Sequence, residues 1–168
     1  MKLSEPLLME LQHEAANTKK YFEIIPVEHL TWKPHPKSMD LGTLAGHIAE
    51  LPGWLHYTIN AEELDFAKLN YTAPVIANLE SLLKLYQDNL DLGSNSLGNA
   101  SNETLMEKWK LRNGEHIFFE LPKIIVIRNM VLNHIVHHRG QLSVYLRTLN
   151  VKIPGLYGPS ADEMEHMA

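Results

Sequence analysis

Four stretches of the chain repeat apolar residues at the three- and four-residue spacing of a single helix face, and this periodicity limits the folds open to the chain. They cover residues 4–25, 40–60, 74–92 and 122–150. An amphipathic helix of this length is stable only when its apolar stripe packs against other elements. The pattern therefore predicts an all-α protein built as a four-helix bundle.

Capping and helix-breaking residues set the expected ends of the first two helices. Ser4 is placed to cap the first helix, and Pro26 ends it. Several prolines make residues 26–39 an ordered loop, because proline removes a helical N–H donor. Asp40 is placed to cap the second helix, and Pro52 inside it predicts a kink or a break.

The segment before the last helix carries turn and hairpin signals. Residues 93–101 are rich in Gly, Ser and Asn and predict a loop. Asn113-Gly114 lies between two partly alternating runs, which predicts a small β-hairpin over residues 105–121. A competing interpretation makes residues 101–110 helical. The connections between the long helices also allow a crossover topology rather than a simple up-and-down bundle.

Length and charge narrow the class of protein further. A chain of 168 residues suits one domain, residues 1–168. With a net charge of −5, the chain lacks the basic electrostatic field that attracts phosphate backbones, so we expect no nucleic-acid partner. No run approaches the roughly 20 apolar residues that cross a bilayer, and the first residues lack a signal-peptide core. We expect a soluble, cytoplasmic protein with no membrane partner.

The chain contains ten histidines and no cysteine. The absence of cysteine excludes disulfides, thiolate metal ligands and a cysteine nucleophile. A metal site in this chain would therefore use imidazole nitrogen and oxygen ligands.

The fourth helix carries the histidine cluster His134-Ile135-Val136-His137-His138. Spacings of three and four residues both place side chains on one helix face, so His134 could pair with either His137 or His138. At about 100° per residue, His138 falls inside the apolar stripe and His137 about 60° outside it. The inward pair His134 and His138 needs hydrogen-bonding partners or a metal ion, and the residues alone leave both possibilities open.

A third ligand would have to come from another helix, and His47 is the best-placed candidate. It lies at the edge of the apolar face of the second helix, where an isolated histidine is more often a boundary residue. Glu50, one turn later, could approach the same ion or orient an imidazole, but it lies further from the apolar centre. The other histidines are expected to be surface, polar or boundary residues: His13, His29, His35, His56, His116 and His166.

Three segments are similar to the motifs of a known family. They are Leu44-Ala45-Gly46-His47-Ile48, the run His134-x-x-x-His138-Arg139-Gly140-Gln141-Leu142, and the tail Pro154-Gly155-Leu156-Tyr157-Gly158-Pro159-Ser160-Ala161-Asp162-Glu163. In this order, over essentially the whole chain, they resemble the DinB family, also called the DinB/YfiT-like family. The His-Arg-Gly-Gln segment is the most specific part of the resemblance.

The resemblance implies a four-helix bundle with a crossover connection and frequent homodimers. It also implies a metal triad of one histidine from the second helix and two from the fourth, here His47, His134 and His138. The family's metal is typically nickel or zinc. Its members of assigned activity act as transferases or isomerases that use low-molecular-weight thiols such as bacillithiol or mycothiol.

Three neutral imidazoles leave at least one coordination position of a divalent ion open, as in catalytic sites. The leading hypothesis is a metal-dependent S-transferase that activates a small thiol against a small-molecule electrophile. The alternatives are a metal-dependent hydrolase and a non-catalytic metal-binding or dimerisation stress protein. Glu50 and Tyr157 are the candidates for a general base, and Gln141 is placed to support a ligand. Arg139 is expected to pair with an acidic neighbour or lie at a dimer face.

Overall fold

The structure is a computed structural model that describes residues 2–165, and it is a helical bundle with a small sheet. The helices are α1 (Ser4–Phe22), α2 (Leu41–Glu50), α3 (Trp54–Asn60), α4 (Leu79–Asn99), α5 (Asn102–Met106), α6 (Lys123–Val126), α7 (Asn133–Thr148) and α8 (Ala161–Met164). The strands are β1 (Glu63–Asp65), β2 (Lys108–Asn113) and β3 (His116–Pro122). Helix α4 packs against α1, α2 and α3, and α7 packs against α1 and α2. The predicted helical bundle is confirmed.

Helix α1 differs from its predicted form at both ends. Leu3 occupies the cap position with helical backbone angles and no side-chain cap, so the prediction that Ser4 caps the helix is wrong. The Leu3 N–H instead donates to Asn102 Oδ1 at 2.8 Å, which ties the first turn to the start of α5. At the other end, α1 stops at Phe22, a few residues before Pro26.

The second predicted helix is divided at its proline. The Asp40 carboxylate accepts a 2.7 Å hydrogen bond from the Thr43 N–H, so its role as a cap is confirmed. Residues Leu51–Gly53 form a single 3₁₀ turn between α2 and α3. The predicted break at Pro52 is therefore confirmed.

Helix α4 runs through the segment that was predicted to be a loop. It begins at Leu79 with a capping box between Asn78 and Ser81, later than predicted, and continues to Asn99. A Cβ atom on Gly93 would lie 2.1 Å from the Pro52 carbonyl oxygen. Gly93 therefore permits close packing between helical segments instead of marking a turn. The loop predicted for residues 93–101 is wrong for residues 93–99 and holds only for residues 100 and 101, between α4 and α5.

The predicted hairpin is confirmed, and it belongs to a sheet of order β1-β2-β3. Strands β2 and β3 are antiparallel, and Gly114 in their turn has the positive φ of 59° that glycine adopts readily. Strand β1, which the sequence did not predict, pairs in parallel with β2. The helical interpretation of residues 101–110 holds only for α5, which precedes β2.

The last long helix is continuous but not uniform. Between α6 and α7, residues Ile127–Leu132 form a π-helical segment. Beyond α7 the chain returns across α1, and the last described helix is α8, where Ser160 and Glu163 form a capping box. Within residues 2–165, no helix is long and apolar enough to cross a membrane.

Candidate metal centre

Three imidazoles from two helices meet in the bundle. His47 comes from α2, and His134 and His138 come from α7. The Nε2 atom of His134 lies 3.4 Å from Nε2 of His47 and 2.8 Å from Nε2 of His138. One ligand atom from each residue lies within 4.8 Å of the other two, so these three histidines could hold a metal ion.

The helical periodicity of α7 selects the pair that faces His47. His138 is buried and His134 is half-buried, whereas His137 is exposed and does not join the group. This placement agrees with the helical-wheel prediction. His47 is half-buried at the edge of the α2 core face, as the wheel also predicted.

Hydrogen bonds at the opposite ring nitrogens orient both α7 imidazoles. His138 Nδ1 lies 2.7 Å from Gln141 Oε1, and His134 Nδ1 lies 3.3 Å from the Met130 carbonyl oxygen. When Nδ1 donates to these oxygens, each neutral ring presents a lone pair at Nε2. The predicted supporting role of Gln141 fits this contact.

The backbone partner of His134 lies in an irregular part of the helix. Met130 belongs to the π-helical segment Ile127–Leu132, directly before α7. Such segments are rare and occur frequently at functional sites. This contact could not be predicted from the sequence, because every residue has a carbonyl group and no residue type signals it.

Burial makes the protonated form of all three histidines unfavourable. The pKa of His47 is lowered to about 4, first by burial and then by the neighbouring His138 and His134. The pKa of His134 is lowered by burial and by His138. The pKa of His138 is lowered by burial, and the bond to Gln141 opposes part of this effect. Near neutral pH the rings are therefore uncharged.

These features fit the requirements of a divalent cation. Neutral imidazoles with inward lone pairs 2.8 and 3.4 Å apart repel one another unless a cation lies between them. The two distances bracket the roughly 3.3 Å expected between nitrogens that each lie about 2.05 Å from a tetrahedral ion. Three such ligands leave at least one coordination position for another molecule.

Glu50 lies one turn beyond His47 but does not join the three histidines. Its Oε2 accepts a 2.8 Å hydrogen bond from the Tyr71 hydroxyl. Burial raises the pKa of Glu50, although the bond from Tyr71 opposes the rise. The pKa of Tyr71 is raised to about 12 by burial and by Glu50. Tyr71 was not predicted from the sequence, because it lies in an irregular connection without a motif.

Tyr157 belongs to a separate network, in which the Glu14 and Arg139 side chains are buried and Tyr157 is exposed. Its hydroxyl donates to Glu14 Oε2 at 2.7 Å, and Arg139 Nη2 contacts both Glu14 Oε2 and the Tyr157 oxygen. Arg139 also donates to the Glu14 carbonyl oxygen at 3.0 Å. The expected pairing of Arg139 with an acidic neighbour is confirmed. The network joins α1, α7 and the tail, and it does not bring Tyr157 into the histidine group.

The remaining histidines lie outside the group. His13, His29, His35 and His116 are exposed, and half-buried His56 contacts Ser96 Oγ at 2.9 Å. His166 lies outside the described residues.

A sequence model of the DinB family matches residues 1–167. The chain belongs to the DinB family. This DinB protein is 25% identical to the uncharacterized protein YrdA of Bacillus subtilis (strain 168) over 166 residues, covering 93% of this chain and 89% of YrdA. The resemblance found in the sequence motifs is thereby confirmed.

Two crystal structures of DinB-like proteins share the fold of this DinB protein. The protein from Bacillus cereus ATCC 10987 has a TM-score of 0.69 at 22% identity, covering 91% of this chain and 97% of that one. YjoA from Bacillus subtilis has a TM-score of 0.70 at 18% identity, covering 90% and 97% of the respective chains. At these identities the likeness concerns the fold.

Proposed function

We propose that this DinB protein is a metal-dependent S-transferase that binds one divalent cation, nickel or zinc, through His47, His134 and His138. Its substrates would be a low-molecular-weight thiol and a small electrophile. The convergence of three Nε2 atoms is the observation that carries the proposal. Imidazole ligands suit both metals.

A divalent ion held there would act as a Lewis acid and lower the pKa of a coordinated thiol. The protein's contribution is to keep the three rings neutral, correctly oriented and partly shielded from water. Gln141 and the Met130 carbonyl hold two rings by their Nδ1 hydrogens. The lowered pKa values of the three histidines reduce competition from protons for the same nitrogens.

The surroundings of the three histidines favour a thiol over water as the nucleophile. A thiol has a pKa near 8.5 and is already partly ionised near neutral pH, so a bound divalent ion would have to lower its pKa much less than that of water, which is near 15.7. Glu50 is the carboxylate closest along α2 to a histidine of the group, and it is bonded to Tyr71. In the reaction, the thiol proton passes to solvent, sulfur bonds to the electrophilic carbon, and the leaving group departs with its electron pair.

Metal analysis of matched variants tests the ligand set. Wild-type protein and His137→Ala are expected to retain one metal ion per chain, because His137 is exposed and outside the group. His134→Ala and His138→Ala are each expected to lose more metal affinity than the roughly tenfold expected when the hydrogen-bonding partner of a ligand is removed. Full metal content in both of these variants would show that the ligand assignment is wrong.

Thiol consumption with a panel of electrophiles tests the reaction. The expected result is turnover that requires both metal and thiol, and that is lost in His138→Ala but kept in His137→Ala. Stoichiometric metal without thiol-dependent turnover would contradict the transferase. Metal-dependent ester or amide hydrolysis in the absence of thiol would identify a hydrolase.

A further inference from the structure

We propose that a cavity next to the histidine group binds a neutral, ring-sized apolar group of the electrophile. This inference rests on the proposed function and names the class of its second substrate. The cavity has a volume of about 180 Å³. Its walls include Glu50, Trp54, Tyr57, Leu64, Leu69 and Tyr71.

Helices α2 and α3 bring this cavity close to His47. Glu50 follows His47 by three residues on α2, a spacing that places side chains about 5–6 Å apart at Cβ. Trp54 and Tyr57 follow on α3, directly after the 3₁₀ turn at Pro52. Glu50 in the cavity wall therefore lies about one helical turn from His47 along α2.

The irregular chain between β1 and α4 forms the opposite wall and runs along α2. The Tyr71 hydroxyl bonds to Glu50 at 2.8 Å. Further along, Pro74 Cγ and Ile76 Cγ1 each lie 3.3 Å from where a Cβ on Gly46 would be. Since Gly46 and Glu50 lie on either side of His47 in the sequence, this chain segment passes the flank of α2 beside the histidine group.

The size and lining of the cavity select the ligand. A cavity of about 150 Å³ can hold a benzene molecule, so this one suits a single ring or a short branched alkyl group. Three large side chains of the wall are exposed: Tyr57 by 54%, Leu69 by 43% and Tyr71 by 53%. Exposed apolar patches of this kind commonly mark binding sites. The Glu50 carboxyl disfavours anions there, and its raised pKa reflects the low polarity of its surroundings.

An amide NMR titration with toluene tests the cavity without any metal. The expected result is saturable shifts centred on Trp54, Tyr57 and Tyr71. Leu69→Trp, which fills the cavity, should weaken toluene binding at least about fivefold. Leu92→Trp is the matched control, because Leu92 is 40% exposed and lies outside this cavity. Absent or non-saturable shifts, or tighter binding of tetramethylammonium to the same residues, would overturn the proposal.

Cobalt(II)-loaded protein tests whether the cavity and the metal act together, with benzyl mercaptan standing in for both substrates. Its sulfur replaces the thiol at the metal, and its ring replaces the apolar group of the electrophile. Benzyl mercaptan and ethanethiol are compared by the absorption band of cobalt–thiolate coordination. Burial of the ring should make benzyl mercaptan bind roughly tenfold more tightly or better. That preference should disappear in Leu69→Trp and persist in Leu92→Trp.

The two experiments separate failure of the inference from failure of the proposed function. Equal affinities for both thiols would show that the cavity does not serve the metal centre. No thiolate band with either thiol would contradict the proposed function, and the toluene titration would still decide whether the cavity binds a ring.

Discussion

His138 and Gln141 lie three residues apart on α7, and the 2.7 Å contact between them fixes which imidazole nitrogen faces His47. Without an acceptor at Nδ1, the ring is free to rotate and to place its hydrogen on Nε2. The amide oxygen of Gln141 thus favours the tautomer and ring orientation that present Nε2 to the histidine group, although Gln141 itself is not in that group.

We expect Gln141→Ala to weaken divalent-metal binding by about tenfold while leaving the fold unchanged, because partners of metal-bound histidines contribute on this scale. Gln87→Ala is the control, since Gln87 is an exposed helical glutamine bonded to Asp91. Competition with a chromophoric chelator measures both affinities. Equal affinity in the two variants would show that Gln141 does not orient the ligand.

The buried pair of Glu14 and Arg139 supports the same helix from its other side. Arg139→Met leaves a carboxylate buried without its cation, so we expect the free energy of unfolding to fall by about 3 kcal/mol or more. Arg128→Met removes an exposed pair with Glu10 and should cost less than about 1 kcal/mol. Urea unfolding of the metal-free proteins gives both values, and similar losses would contradict this account.

Some residues of the site could be predicted from the sequence, and others could not. Helical spacing alone identified His134 and His138, because both the stripe and the histidines lie on one helix. His47 lies at the edge of its helix face, so the family resemblance was needed to select it. The Met130 carbonyl and Tyr71 depend on how separate backbone segments pack, and no residue type signals either contact.

Sequence signals predicted the helices and strands correctly where the structure depends on neighbouring residues. Pro52 breaks a helix because it lacks an N–H group, and Asn113-Gly114 turns because Gly114 accepts a positive φ. The glycine at position 93 misled the prediction because its role is a contact with a distant segment. Strand β1 has only three residues and pairs with a strand much later in the chain, so it has little local pattern.

Two glycines of α4 allow a matched test of this packing. In Gly93→Ala, the new Cβ would lie 2.1 Å from the Pro52 carbonyl oxygen, and we expect a loss of about 2–3 kcal/mol in unfolding free energy. In Gly98→Ala, the nearest atom is Leu8 Cδ2 at 3.7 Å, and higher helix propensity should add about 0.5–1 kcal/mol. Opposite signs in urea unfolding are expected, and equal effects would contradict the contact.

For the whole molecule, the tail is held to the bundle by an ion pair that responds to acid. Asp162 accepts bonds from Arg147 at 3.0 and 2.6 Å and from the Ile153 N–H at 3.0 Å. These contacts lower the pKa of Asp162 to about 2, and the hydrogen bond from Arg147 makes the largest contribution. The folded protein binds the Asp162 proton less tightly than the unfolded chain does. The Asp162 contacts therefore stabilise the fold above the unfolded-state pKa of about 3.9, and this stabilisation is lost as the pH falls towards 2.

We therefore expect Asp162→Asn to lower Tm at pH 7, and we expect its difference from wild type to shrink as the pH falls from about 4 towards 2. Asp88→Asn makes the same charge change in an exposed pair with Lys84 and should alter Tm little. Thermal unfolding of metal-free protein across this range measures the effect. A difference that is constant with pH would show that the Asp162 charge is not responsible.

The parallel pairing of β1 with β2 has a consequence for biosynthesis. The ribosome releases α2, α3 and β1 before the residues of β2 exist, and β1 alone is too short to form a stable ribbon. The segment carrying Tyr71 therefore gains its anchor at β1 only once the hairpin has been made. A nascent chain stalled before residue 108 would lack this anchor beside the flank of α2.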